Sequence, residues 1–181
     1  TGQESRSTPL RLKIVSAAEY ETRVREDLAA VEERLHRLTF EQADLHDHTR
    51  TLQLPDEAVR PLTDAEREVV SSLSVSQVKV SRQLRAAAAR LDDIVRRFED
   101  NLSNEREERS RLAALAEAVR TVAVGPAAAA SASLSRAAEP NDAVAEQANI
   151  SDAAKSQETA MDRLHEVLRA MGQWGTSQGL I

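Results

Sequence analysis

The sequence lacks cysteine altogether and has few aromatic residues: two Phe, one Tyr and one Trp among 181 residues. Without cysteine the chain can form no disulfide framework and offers no thiolate as a nucleophile or metal ligand. Only five glycines are present, and none follows a predicted strand, so no glycine-rich phosphate-binding loop is expected. So few aromatic side chains also argue against the core of an ordinary mixed α/β globule.

The chain also lacks an excess of positive charge: 24 Lys and Arg stand against 30 Asp and Glu, so the net charge is −6 at pH 7. A nucleic-acid-binding surface needs a basic stripe to meet phosphates, so no nucleic-acid partner is expected. An acidic chain also fits an anionic membrane poorly. No apolar run approaches 18 residues and no signal peptide is visible, so the sequence predicts no membrane span and an intracellular location.

Alanine, leucine, glutamate and arginine dominate the composition of the chain. Hydrophobic residues make up 41% of the chain, but alanine supplies 30 of them, and 30% of the chain is charged with alternating signs. This composition is typical of long helices and coiled coils. It predicts an all-α protein.

Prolines and polar stretches divide the chain into segments. Residues 1–9 are expected to be a disordered tail, followed by a first coiled-coil segment at 10–54 and a loop at 55–62 that contains Pro55 and Pro61. The sequence Thr63-Asp64-Ala65-Glu66 is a capping box, which predicts the start of a second segment at 63–123.

The second half of the chain is less regular. The polar stretch 99–111 is interpreted as continuing helix, with a break at Asn101–Asn104 as the alternative. Gly125-Pro126 should stop the helix, so the Ala/Ser-rich residues 124–140 are expected to form a flexible linker. A third coiled-coil segment is predicted at 141–173, starting from a cap at Asn141-Asp142, with a tail at 174–181.

Apolar residues recur in each segment at alternating spacings of three and four, the period of a coiled-coil seam. Straight helices over 10–54 and 63–123 would be roughly 65 and 90 Å long, which does not fit a compact globule of this size. The sequence therefore predicts an elongated coiled coil of three helical segments that pairs with partner chains. The predicted partner-interface residues are Ile14, Val24, Leu28, Val31, Leu35, Leu38, Leu45, Leu52, Val70, Leu73, Val80, Leu84, Leu91, Ile94, Phe98, Leu112, Leu115, Val119, Met161, Leu164, Leu168, Met171 and Trp174.

Polar residues interrupt these seams in all three segments, and they are Glu21, Gln42, Thr49, Gln77, Gln147 and Gln157. Polar seam positions lower stability but select register and partner, which favours a hetero-oligomer. The alternative is that these turns are weak or exposed. Trp174 falls on the apolar face of the third segment, so it is either a partner-contact anchor or the cover of a frayed last turn.

The titratable residues suggest no catalytic, cofactor or metal site. His46 and His48 are two positions apart, which places their rings on different sides of a helix and prevents them from sharing an ion. Carboxylate pairs such as Glu32-Glu33 and Glu107-Glu108 belong to exposed charge patterns and not to a pocket that shifts a pKa. We therefore expect no enzyme activity.

Three stretches resemble the coiled-coil region of the large FG nucleoporin at the centre of the nuclear pore channel. They are VEERLHRLTFEQADLHDHTRTLQ (31–53), VSRQLRAAAARLDDIVRRFEDNLS (80–103) and MDRLHEVLRAMGQWGTSQGLI (161–181). The chain departs from that family in having no Phe-Gly repeats and a longer, more alanine-rich linker. The resemblance implies a heterotrimer with two other coiled-coil chains, a location at the nuclear envelope, and a role in nucleocytoplasmic transport.

The expected function is thus that of a structural assembly subunit that holds partner chains. A self-contained, spectrin-like three-helix spacer or adaptor is the first alternative, because the loop at 55–62 is short enough for two helices to fold back on each other. A membrane-remodelling helical protein is the second. It would need a basic or amphipathic face, which the acidic composition disfavours.

Overall fold

Five α-helices contain most of the residues that this computed structural model describes, which are 16–100 and 106–177. No strand occurs within those ranges, and the prediction of an all-α protein is confirmed. A short 3₁₀ turn, Asp56–Ala58, lies in the loop after the first helix. The helices are α1 (Ala17–Thr51), α2 (Asp64–Asp100), α3 (Arg106–Val124), α4 (Pro126–Ala138) and α5 (Ala143–Ser177).

Side-chain caps start three of these helices. Ser16 accepts a hydrogen bond from the Glu19 amide while Glu19 reaches back to Ser16, so α1 begins with a capping box. The capping box predicted at Thr63 is present, with the Thr63 amide donating to Glu66 at 2.7 Å. At the start of α5 the Asp142 carboxylate accepts from the Ala145 amide at 2.9 Å.

Helices α3 and α4 form one helical stretch with a break at Gly125. The Gly125 amide donates to the Thr121 carbonyl and the Gly125 carbonyl accepts from the Ala129 amide, both at 2.9 Å, so the hydrogen-bond ladder continues on either side. A Cβ at position 125 would lie 2.8 Å from the Thr121 oxygen, which explains why glycine occupies the break. The linker predicted for 124–140 was therefore wrong: residues 126–138 are helix, because alanine is the strongest helix former.

Neighbouring helices run antiparallel, as hydrogen bonds between them show. From α1 to α2, Asp27 pairs with Arg90 and Arg97 while Gln42 pairs with Gln77, so the numbers rise on one helix as they fall on the other. The same reversal relates α2 to the α3–α4 stretch, where Ser74 contacts Ser131 and Ser81 contacts Ala123. Arg136 of α4 contacts Asn149 of α5, and Gln147 of α5 contacts Leu52 beyond the end of α1.

These pairings close a four-helix bundle within one chain. α1 packs on α2 and α5, the α3–α4 stretch also packs on α2 and α5, and the four helical stretches have 35, 37, 33 and 35 residues. The segment predicted at 63–123 is thus two antiparallel helices, α2 and α3, and not one. Three separate elongated segments were expected, but four matched helices of roughly 50 Å bury their apolar faces against one another.

The bundle has two halves, separated by a layer of polar side chains. The proximal half contains the start of α1 and the end of α5, and its core is the large cluster that includes Leu35, Leu84, Ile94, Leu112 and Leu164. The distal half contains the loops at 52–63 and 139–142. Its smaller core is formed by Leu62, Val70, Leu73, Leu134, Ala137, Ile150 and Ala153.

One helical stretch, Arg106–Ala138, is long and apolar enough to span a membrane by length and composition. The sequence analysis predicted no membrane-spanning stretch. The many alanines of this stretch raise its mean hydropathy, although it contains no long run of large apolar residues. In the bundle this stretch buries Leu112, Val119, Ala130 and Leu134, as the core helix of a bundle does.

Candidate functional site

Most of the predicted partner-interface residues lie in the core of the single chain. Leu45, Leu52 and Met161 are half-buried; Ile14 and the side chain of Trp174 lie outside the described part of the chain. The buried ones are Val24, Leu28, Val31, Leu35, Leu38, Val70, Leu73, Val80, Leu84, Leu91, Ile94, Phe98, Leu112, Leu115, Val119, Leu164, Leu168 and Met171. The seam residues therefore form the core of the bundle and contact each other within one chain, and their role at a partner interface stays a prediction.

Three glutamines from three helices meet between the two cores, and we call them the glutamine layer: Gln42, Gln77 and Gln157. All three are fully buried. Gln42 and Gln77 exchange two amide hydrogen bonds, at 3.1 and 2.7 Å, and the Gln157 amide donates to Gln77 Oε1 at 3.1 Å. Gln157 Oε1 is buried and has no hydrogen-bond partner among the described residues. These polar seam positions therefore pair with one another within one chain, and a role in selecting partner chains stays a prediction.

The distal half is fastened by a buried carboxylate that the sequence did not single out. Glu146 of α5 is fully buried and accepts hydrogen bonds from the Leu62 amide at 2.7 Å, from Arg67 at 2.9 Å and from the Asn141 amide at 3.3 Å. Burial raises the pKa of the Glu146 carboxyl, but these hydrogen bonds outweigh burial and hold the pKa below its ordinary value. Glu146 therefore stays ionised near neutral pH and joins both distal loops to α2.

Gln147, one of the polar seam positions named from the sequence, makes a second connection in the distal half. Its side-chain oxygen accepts from the Leu54 amide at 3.0 Å, and its side-chain nitrogen donates to the Leu52 carbonyl at 3.3 Å. The end of α1 is thereby tied to the start of α5. Glu21, by contrast, is exposed and lies 3.6 Å from Arg25 on the same helix.

An open groove of about 1340 Å³ lies between α3 and α5 in the proximal half, and we call it the α3–α5 groove. Its floor is apolar, since Leu115 and Val167 lie there nearly buried. Small side chains line its walls: Ala114, Ala118 and Thr121 from α3, and Thr159 and Ala170 from α5. The groove forms where helices carrying small residues do not fill the space between them.

Charged side chains surround this apolar floor. On α3, Arg111 pairs with Glu107 and Glu117 pairs with Arg120. On α5, Asp162 and Glu166 also line the groove one turn apart, and among the described residues neither has a basic partner within 4.0 Å. An apolar floor between charged walls is the usual anatomy of a protein-binding groove.

Whether the histidines and carboxylates of residues 16–100 and 106–177 could form a metal site depends on their spacing and burial. No group of three or more His, Cys, Asp or Glu side chains is placed there to hold a metal ion. His48 is exposed and its Nδ1 lies 2.7 Å from the Asp44 carbonyl, whereas the His46 side chain is mostly buried on another side of α1. The fully buried polar side chains are amides, hydroxyls and one carboxylate whose bonds hold the fold together.

Comparisons with known proteins returned no match: no family model fits the chain, and neither the curated proteins nor the solved structures include a similar one. The class that the fold defines is a four-helix bundle with an up-down-up-down path. The features of this chain that bear on its function are its own groove, core and loops.

Proposed function

We propose that the chain is a structural, non-enzymatic assembly module, and that it holds a partner protein chain in the α3–α5 groove. The observation that carries the proposal is the groove itself, which has an apolar floor, charged walls and a volume of about 1340 Å³. An amphipathic helix that lies in a groove is a common recognition mode.

The path of the chain favours a holding role over a spacer role. Because the four helical stretches alternate in direction, Ala17 of α1 and Ser177 of α5 lie at the same end of the bundle. A spacer must hold its two attachment points far apart, whereas this bundle projects its distal loops roughly 50 Å from both ends. The chain is thus better suited to present a lateral surface than to set a distance.

Partner chains that pair through the seams would require the bundle to open. Leu35, Leu84 and Leu164 are already fully buried within one chain. The heterotrimer and the nuclear-pore location implied by the resemblance stay predictions. Docking of a partner chain in the α3–α5 groove does not require the bundle to open.

A matched pair of substitutions tests the proposed function. Ala118→Arg places a long charged side chain in the groove, while Ala89→Arg places the same side chain on the exposed surface of α2. We expect protein chains that co-purify with the native bundle to be lost with Ala118→Arg and kept with Ala89→Arg. Identical partner sets for both variants, in proteins with unchanged helical circular dichroism, would refute docking in the groove.

A further inference from the structure

One face of α2 points away from the core and carries basic and apolar side chains. Its residues recur at spacings of four, three and four, which places them in one row along the helix. We call this row the α2 stripe: Val75, Lys79, Arg82 and Ala86, all of them exposed. Arg34 of α1 lies beside it. The stripe is therefore a basic and partly apolar surface on a chain whose net charge is −6.

The positive charge of the α2 stripe comes from a stretch of α2 without acidic residues. Residues 69–91 include one Lys and three Arg but no Asp or Glu. Arg90 pairs with Asp27 of α1, whereas neither Lys79 nor Arg82 has a carboxylate partner among the described residues. Within the described bundle their charges are thus not neutralised by a contact, and they can attract an acidic surface.

The α3–α5 groove offers such an acidic surface on its α5 wall. On its α3 wall, Arg111 and Glu117 are already in ion pairs along α3. On its α5 wall, Asp162, Arg163 and Glu166 are exposed and have no ion-pair partner among the described residues. Two carboxylates against one guanidinium leave this wall with a charge of −1. The groove therefore has the sign of charge that complements the stripe.

The basic pair of the stripe and the acidic pair of the groove also match in spacing and height. Lys79 and Arg82 are about one helical turn apart, and so are the two carboxylates. Gln77 is hydrogen-bonded to Gln157, and from this glutamine layer α2 and α5 both run towards the proximal end. Counted from the layer, the cations lie two and five residues on, and the carboxylates five and nine residues on. Their heights along the bundle therefore differ by no more than roughly 10 Å.

The α2 stripe and the α3–α5 groove lie on different sides of the bundle. Among the described helices, α2 and α5 each pack on α1 and on the α3–α4 stretch but not on each other, so they occupy opposite corners. The stripe faces outward from the α2 corner, while the groove opens on the side between α3 and α5. One molecule can therefore use both surfaces at once, each with a different neighbour.

We propose that the partner chain held in the α3–α5 groove is a second copy of this chain, which docks its α2 stripe there. This inference rests on the proposed function and gives its partner an identity. The contact joins two different surfaces, so two molecules cannot close it as a two-fold dimer. Each pair instead keeps a free stripe and a free groove, and further copies add to form an open row. The charges lie at exposed positions, which makes the contact sensitive to salt.

Light scattering on the isolated native chain measures this association. A contact with a dissociation constant of about 10 μM is mostly formed at roughly 100 μM protein. We expect the average mass to rise beyond that of a dimer as the concentration approaches this value, and to fall again in high salt. A mass of one chain throughout, or a mass that stops rising at a dimer, would overturn the proposal.

Charge reversal tests the two surfaces separately and then together. Lys79→Glu with Arg82→Glu makes the stripe acidic. Asp162→Lys with Glu166→Lys makes the groove wall basic. Each double variant alone should associate more weakly by about tenfold or more, because like charges then meet. An equimolar mixture of the two should associate again, since the stripe of each variant complements the groove of the other. No recovery on mixing would refute the pairing of these surfaces.

A matched control reverses the same amount of charge elsewhere. Arg23→Glu with Arg50→Glu changes two exposed positions of α1 outside both surfaces, and its association should equal that of the native chain. Ala89→Arg adds a cation one turn past the stripe and should also preserve association. A loss in the α1 control as large as that of Lys79→Glu with Arg82→Glu would show that net charge governs association, and the proposal would fail.

Cross-linking identifies which surfaces meet. The chain has no cysteine, so Ala86→Cys places a single thiol on the stripe and Ala114→Cys a single thiol in the groove. With a short bis-maleimide reagent, a mixture of the two proteins should give mainly dimers that join position 86 to position 114. Dimers that mainly join position 86 to position 86 would mean a two-fold contact between stripes and would contradict the proposal.

Failure of this inference is distinguishable from failure of the proposed function. A chain that stays monomeric, but loses its co-purified proteins with Ala118→Arg, would overturn the inference and keep the proposed function, with a different protein as the partner. Co-purified proteins that are unchanged by Ala118→Arg, together with self-association that is also unchanged, would refute docking of any chain in the groove.

Discussion

The two halves of the bundle use the same helices but are held together by different interactions. The proximal half relies on large aliphatic side chains such as Leu84, Ile94 and Leu164, and leaves the α3–α5 groove open beside them. The distal half has a core of fewer residues and is closed by Glu146 and Gln147. Non-directional apolar packing can leave a surface available for docking, whereas buried polar groups require specific partners and so fix the geometry of the helices.

Truncation of a proximal core leucine should have the largest effect. Leu164 is fully buried, so Leu164→Ala should lower the free energy of unfolding by about 4 kcal/mol through lost burial and a cavity. Urea denaturation followed by circular dichroism measures this loss. The control is Val144→Ala at a mostly exposed position, expected to cost less than about 0.5 kcal/mol. Comparable losses for the two variants would contradict the assigned core.

Removing the distal carboxylate should come next. Glu146→Ala leaves Arg67 and the amides of Leu62 and Asn141 without their acceptor, and should lower the free energy of unfolding by about 3 kcal/mol. Hydrogen exchange should also accelerate at the Leu62 amide, while amides of the proximal half keep their protection relative to global unfolding. Uniform acceleration in both halves would mean that the two halves are not stabilised by different interactions.

The glutamine layer allows a comparison between two of its own members. Gln77 makes hydrogen bonds to both of the other glutamines, so Gln77→Ala should cost about 2 kcal/mol. Gln157→Leu removes a single bond together with the oxygen that has no partner, and should change stability by less than about 1 kcal/mol. Thermal unfolding of both variants compares their losses of stability. A larger loss for Gln157→Leu than for Gln77→Ala would contradict the assignment of Gln77 as the central residue of the layer.

Acid should weaken the distal half through a small additional effect. Hydrogen bonds from Arg60 and Thr63 lower the pKa of Glu66 from 4.5 to about 2. Because the folded protein binds this proton less readily than the unfolded chain, the stabilisation is present above pH 4.5 and is lost as the pH falls towards 2. Glu66→Gln should flatten the dependence of unfolding free energy on pH in that range and cost below about 1 kcal/mol at neutral pH. An unchanged pH dependence would show that Glu66 does not contribute to it.

Much of the local structure could be predicted from the sequence. The capping box at Thr63 and the loop between Pro55 and Pro61 follow from local chemistry, and the buried faces follow from the three-and-four spacing of apolar residues. The break in the predicted second segment was present in the sequence as the polar stretch around Asn101. A continuous helix was predicted there because the heptad register can be carried through this polar stretch.

Other features could not be predicted because they depend on which helices meet. An Ala/Ser-rich stretch such as 126–138 has the composition of a linker when it is read alone, and becomes a buried helix when α2 and α5 cover it. The seam position of Gln77 predicts that its side chain points into the core, but it does not predict which residues that side chain contacts. Glu146 gave no signal beyond an acidic residue in the first turn of α5, and the groove arises from the distance between α3 and α5.

The shared position of Ala17 and Ser177 at one end also determines how the bundle would respond to force. Tension applied through these two points would act on α1 and α5, which are adjacent and antiparallel. Such a load peels the helix pair apart one turn at a time, so only a few contacts resist it at any moment. Helices loaded from opposite ends would instead slide in shear, with all contacts resisting together. The proximal core would therefore open first under load, exposing its seams to other chains, while the distal end stayed closed.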